Sequence, residues 1–151
     1  SGQPTEAGIF ADALALFDKV QKKQERISVM GRSLGSGAAT YLASKRPVEK
    51  MLLISPFDSI KSVAQNKFPI YPMFLLLKDK YDSIGRVKDI SAKTIVLIAE
   101  NDEVIPKKHS LRLISEFPPE QITVRTISDA GHNDISNKMK YYDHLKKFLN
   151  N

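Results

Sequence analysis

Four short apolar runs punctuate the chain, at residues 27–30, 51–54, 95–99 and 122–127. Runs this short and this continuous suit strands covered on both faces, and the alternation in 122–127 suits an edge. Between them the hydrophobic spacing changes. Ile9, Ala13, Leu16, Phe17 and Val20 recur at three- and four-residue steps, which predicts a helix opening at Thr5 or Pro4 and ending in the polar run 21–26. Residues 33–44 read as a helix rich in small residues and ended ahead of Pro47, and further helices are predicted over 105–117 and 133–149. Strands alternating with helices give an α/β class, a mostly parallel sheet flanked by helices. Residues 56–89 break the pattern and are predicted as a short lid-like insertion over the carboxyl edge of that sheet.

The 151 residues fit a single domain, and 42% hydrophobic with 26% charged content is that of a globular chain. With no cysteine, a disulfide framework and thiolate chemistry are excluded. The net charge is +6, but the basic residues lie in scattered pairs such as Lys22-Lys23, Lys107-Lys108 and Lys146-Lys147. No nucleic-acid motif accompanies them, so they read as solvated faces and no nucleic-acid partner is expected. No secretory signal or transmembrane run is visible. The longest apolar stretch, 68–77, is ten residues with two prolines and is too short to span a bilayer.

Chemistry concentrates at Gly31-Arg32-Ser33-Leu34-Gly35. The pattern G-x-S-x-G arises by chance in about one chain in twenty of this length. A strand before it and a helix after it make it a candidate nucleophile elbow, in which a strained turn lifts a serine hydroxyl off the sheet edge. The glycines on either side of the serine are expected to avoid collisions with the neighbouring strand or helix. The Leu34 N–H, at a helix N-terminus, is placed to stabilise an oxyanion. The plain alternative is an ordinary strand-to-helix turn.

A serine nucleophile needs a base, and the base needs an acid to orient it. Asp102 follows the run 95–99, where open α/β sheets carry their functional groups, although it would also serve as a cap for the helix beginning near Pro106. Asp58, after 51–54, is the rival acid; the order of elements favours Asp102. His132 follows the run 122–127 in a glycine-containing loop, completing the order Ser…Asp…His. His109 and His144 fall inside predicted helices and are expected at the surface. No HExxH motif or Cys/His cluster exists, GRSLGSG lacks the Lys-Ser/Thr of a P-loop, and neither metal nor cofactor is called for.

The stretches PTEAG, GRSLGSG, LLISPFDSI, AENDEVIP and AGHND together resemble the α/β-hydrolase superfamily, and within it BEM46-like and ABHD13-like serine hydrolases. The resemblance runs along nearly the whole chain. It implies Ser33 as nucleophile, Asp102 as acid, His132 as base and Leu34 as one oxyanion donor. It also implies eight strands, of which four are visible here, so the chain is expected to be the carboxyl-terminal portion of a longer protein. The loop carrying the second oxyanion donor would then be absent, and loss of one such donor costs about a hundred-fold or more in turnover. The isolated chain is accordingly expected to be weakly active. Strand 27–30, central in the complete fold, is expected as an exposed edge through which the chain associates.

The expected activity is hydrolysis of acyl esters or thioesters. Peptide or amide cleavage on the same fold, and a non-catalytic binding protein retaining it, are the alternatives. The apolar stretch 68–77 is the specificity clue. It is expected either to pack onto the sheet as a lid or to shape an acyl pocket or touch a membrane surface, with a small or lipid-like acyl substrate.

Overall fold

In the computed structural model, which describes residues 5–151 apart from the side chain of Phe74, the four apolar runs form one parallel sheet. β1 (Ser28–Arg32) and β4 (Ile122–Ile127) are the edges, and β2 (Lys50–Ile54) and β3 (Lys93–Ala99) lie between them in chain order. Gly31 stands opposite Leu53, Leu53 opposite Val96 and Val96 opposite Val124, so one row of the pleat crosses the whole sheet.

Every step of this sheet moves the same way, so right-handed crossovers must all return over one face. That face carries α2 (Leu34–Lys45), α5 (Lys107–Ile114) and the 3₁₀ turn Ile84–Asp89, and α1 (Glu6–Gln21) packs there too. The pleat alternates the two cores accordingly. Met51, Leu53, Val96 and Ile98 face Leu42, Ala43, Leu113 and Phe117. Leu52, Ile54, Ile95, Leu97 and Ile127 face the other way, onto Tyr141 and Leu145 of α6 (Met139–Asn150).

Thr5 caps α1 by accepting a hydrogen bond from the Gly8 N–H at 3.1 Å. A helix opening at Pro4 falls outside the described residues. The Phe10 ring stacks on Tyr41 with centroids 4.0 Å apart, and the Arg86 guanidinium lies 4.9 Å over Phe10 while pairing with Glu6 at 3.3 Å. Arg46 grips Asp18 with two nitrogens, at 2.6 and 2.9 Å. That hydrogen bond holds the Asp18 carboxyl below its ordinary value, so this latch contributes at neutral pH and is lost as acid protonates the carboxylate.

Three boundaries differ from expectation. The helix predicted over 105–117 begins only at Lys107, because Pro106 keeps an extended ψ of 133°. The helix predicted over 133–149 is broken: a 3₁₀ turn, Ile135–Asn137, precedes an extended Lys138 before α6 starts. Residues 56–89 hold α3 (Ile60–Lys67), the short α4 (Met73–Leu76) and the 3₁₀ turn. Within them the apolar stretch does not pack onto the sheet. Phe68, Ile70, Tyr71, Leu75 and Leu76 are all exposed.

The outer side of β1 is unpaired among the described residues. A groove of about 490 Å³ runs along it, walled by Leu16, Phe17 and Val20 of α1, Val29 and Met30 of β1, and Leu42 of α2.

Candidate active site

The elbow forms because β1 ends in a residue that cannot continue as a strand. Ser33 takes φ 50° and ψ −124°, a left-handed conformation that costs a non-glycine residue about 1–3 kcal/mol unless its surroundings enforce it. The surroundings do. The Ser33 N–H still donates to Ile54 O at 2.9 Å, and the Ser33 carbonyl accepts from both the N–H and the hydroxyl of Ser36, at 2.9 and 2.6 Å. The turn therefore keeps its backbone partners while the side chain is thrown clear of the sheet. Leu34 is the first residue of α2, an end whose N–H groups lack intrahelical acceptors.

The two glycines have unequal tasks. A Cβ on Gly31 would run into the Gly35 carbonyl and lie 2.7 Å from the Ala39 Cβ. Gly35 differs from expectation: a Cβ there meets nothing within 4 Å, because this side of α2 opens onto the groove along β1.

Asp102 and His132 arrive from neighbouring strands. Asp102 lies three residues past β3, and its Oδ1 accepts from the Val104 and Ile105 N–H groups at 3.1 and 2.7 Å. Asp102 does not cap α5, whose N-cap is Pro106 with no side-chain bond; it braces the turn ahead of that helix, so the turn-bracing role and the acid position coincide in one side chain. His132 lies past β4, after Asp129 at φ 53°. The two loops are stitched together, with Asn101 N–H donating to Ala130 O at 2.9 Å and Asp129 N–H to the Glu100 carboxylate at 3.0 Å. Asp134 accepts from the Gly131 N–H at 2.6 Å, which closes the turn that carries His132.

The result is a continuous relay. His132 Nδ1 lies 2.9 Å from both Asp102 oxygens, and His132 Nε2 lies 2.9 Å from Ser33 Oγ. A carboxylate only accepts, so Nδ1 carries the imidazole proton and Nε2 is left to accept from the serine hydroxyl. The His132 and Asp102 side chains are only 9% and 2% exposed. Arg32, the residue before the serine, donates to the His132 carbonyl at 2.6 Å and ties the end of β1 to the histidine loop. Nothing in the sequence pattern singled out Arg32; its neighbour Ser33 was the only guide.

The rival acid makes a different pair. Asp58 is buried and accepts from His109 Nδ1 and from the Ser59 N–H, at 2.9 and 2.8 Å, with Arg112 3.5 Å away. His109 is therefore not the surface residue its helical position suggested. It sits on the inward side of α5 with Ser110 and Leu113 and is 1% exposed. Ser110 Oγ donates to Pro56 O at 2.6 Å, so α5 is bolted twice to the segment after β2. His144 is half-buried on α6. Because α5 follows the Asp102 loop directly, this bolt fixes that loop from behind. His109→Leu is expected to remove one of the partners of buried Asp58, leaving the Ser59 N–H and Arg112, and to lower unfolding free energy by about 1–3 kcal/mol, read from urea denaturation.

The chain is similar along nearly its full length to proteins of diverse origin. It is 32% identical over 155 residues to an uncharacterized protein of Mycobacterium tuberculosis, covering 98% of this chain and 54% of that protein. It is 30% identical to human alpha/beta hydrolase domain-containing protein 17B, covering 99% and 51%. The chain thus spans about half the length of these relatives. Among solved structures it superposes on a meta-cleavage product hydrolase from Pseudomonas fluorescens with a TM-score of 0.74 at 15% identity, covering 99% of this chain and 73% of that one. Acetyl xylan esterase from Paenibacillus sp. R4 gives 0.72 at 18% identity, with 94% and 51% covered. No family model matches the chain. The sheet, its crossovers and these likenesses define an α/β-hydrolase fold. The chain belongs to the α/β-hydrolase superfamily; the relatives do not single out a BEM46-like or ABHD13-like branch within it.

Proposed function

We propose that this chain carries the catalytic residues of a serine hydrolase acting on acyl esters or thioesters. The observation that supports the reading is the unbroken Asp102–His132–Ser33 relay, ending on a serine held at φ 50°. Ser33 Oγ attacks the acyl carbonyl while His132 Nε2 takes its proton. The carbonyl π electrons move to oxygen, and the Leu34 N–H faces the resulting oxyanion. Collapse expels the alcohol or thiol, which leaves with the proton from His132, and the acyl group remains on Ser33. Water then attacks the acyl-enzyme with His132 again as base, releasing the acid and restoring Ser33. Asp102 stays ionised, holding the tautomer and stabilising the imidazolium.

An acyl substrate is favoured over a peptide because the exposed apolar residues of the insertion after β2 suit a chain that works beside acyl chains rather than one that grips a polypeptide. The test is covalent labelling by a fluorophosphonate. The expected adduct is on Ser33, located by peptide mass and abolished in Ser33→Ala and His132→Ala. Failure of the full-length protein to label would overturn the reading in favour of a hydrolase fold retained for binding alone.

A further inference from the structure

The insertion between β2 and β3 presents a second feature that the hydrolytic chemistry does not use. Phe68, Ile70, Tyr71, Leu75 and Leu76 are 47%, 90%, 59%, 71% and 59% exposed within one ten-residue stretch. An isolated exposed leucine needs no explanation, whereas five large apolar side chains in one short segment do. Ile70 covers almost nothing in its own chain, so the segment projects rather than lining a pocket. The backbone is held in that posture. The Gln65 side chain accepts from the Met73 N–H at 3.1 Å and donates to Pro69 O at 3.2 Å. The loop tip is therefore fixed to α3.

Charge around the patch is predominantly basic, with Glu103 beside Lys67 as an acidic exception. Residues 60–80 contain Lys61, Lys67, Lys78 and Lys80 against a single carboxylate, Asp79, and that carboxylate accepts from the Glu6 N–H at 3.0 Å. A cleft beside α3 is lined by Lys108 and the exposed Arg112. A convex apolar tip, with aromatic residues beside aliphatic ones and a basic surround, matches the two signals that together hold a peripheral protein on an anionic bilayer. Protein interfaces are depleted in lysine, whereas lysines flank this apolar stretch on both sides. We propose that residues 68–77 are a docking tip for a negatively charged lipid surface.

The helix that carries the tip lies beside the loop that carries Asp102. Val63, Asn66 and Lys67 of α3 line a small cleft with Glu103, Val104 and Pro106, the residues next to Asp102. Docking through the tip brings the carboxyl edge of the sheet toward the lipid interface, where acyl chains are found. No helix among the described residues is long and apolar enough to cross a membrane, so attachment by this tip is peripheral.

The proposal is tested with the Ser33→Ala protein, so that its outcome is separate from the hydrolytic reading. Co-sedimentation is measured with phosphatidylcholine vesicles containing about 30% phosphatidylserine and with phosphatidylcholine alone. Binding is expected to the anionic vesicles, weakening as salt is raised. The double change Ile70→Asp with Leu75→Asp is expected to weaken it about tenfold or more, and Lys67→Glu with Lys78→Glu and Lys80→Glu to abolish the preference for anionic lipid. These side chains are solvent-exposed, so unchanged circular dichroism is the check on folding. Leu16→Asp, in the apolar groove along β1, is expected to leave vesicle binding intact. Absence of binding, loss on Leu16→Asp but not on the tip variants, or a self-association abolished by Ile70→Asp without any vesicle binding would each overturn the proposal.

Discussion

Asp102→Asn is expected to lower kcat for an activated acyl ester by about 10⁴-fold while leaving the fold intact. The reason lies in the several partners of this side chain. Its Oδ1 accepts from the Val104 and Ile105 N–H groups, and both oxygens lie 2.9 Å from His132 Nδ1. An asparagine keeps one carbonyl oxygen, and the two backbone donors will claim it. The amide NH₂ is then turned toward Nδ1, which can satisfy it only by giving up its proton. The proton moves to Nε2, and Nε2 can no longer accept from Ser33. The loop survives and the base is lost. Asp102→Ala removes both tasks, leaving the two turn N–H groups without their acceptor, so it should add a stability loss of about 1–3 kcal/mol to the same loss of activity. Esterase rates and fluorophosphonate labelling rates, each beside a denaturation curve, separate the two variants. Retention of activity within about tenfold in Asp102→Asn would remove Asp102 from the mechanism.

The glycines flanking Ser33 give the second large effect, and it is asymmetric. Gly31→Ala is expected to destabilise the protein by about 3 kcal/mol or more, a large part of an ordinary domain's stability. The obstacles are the Gly35 carbonyl and the Ala39 Cβ, 2.7 Å from the added methyl, and neither belongs to a flexible side chain. Gly31 itself is pinned opposite Leu53 in the sheet. Moving α2 outward would tear the Ser36 bonds that hold the Ser33 carbonyl. Gly35→Ala meets open space inside a helix, so it should be neutral or stabilising by up to about 1 kcal/mol. Thermal midpoints of the two variants would show the contrast, and equal losses would contradict it.

The strands were legible because a strand covered on both faces has no room for polar residues. The runs 51–54 and 95–99 could hardly be read otherwise. The serine, acid and histidine were legible for a related reason: parallel strands deliver their carboxyl ends to one edge, so order along the chain becomes proximity in space. Other features depend on partners that no local pattern announces. His109 looked exposed because its helix is polar, but its acceptor Asp58 lies 51 residues earlier in the chain. The extended Lys138 that separates the 3₁₀ turn from α6 has no marker in the local pattern. Gly35 looked as constrained as Gly31, and only the open groove beside α2 distinguishes them. The exposure of Ile70 and Leu75 was equally invisible, since an apolar stretch reads the same whether it packs inward or projects.

The single-sided pairing of β1 bears on how firmly the nucleophile is held. Among the described residues, Ser33 follows a strand with a neighbour on one side, whereas Asp102 follows β3, which has neighbours on both. A strand of that kind opens locally at lower free energy than one in the sheet interior. His132 likewise follows an edge strand, β4, with Asp129 at positive φ ahead of it, so the serine and the histidine both have softer support than Asp102. Linkage then runs in both directions. Any segment that pairs with β1 only when the elbow is formed stiffens Ser33, and any substrate that stiffens Ser33 strengthens that pairing by the same free energy.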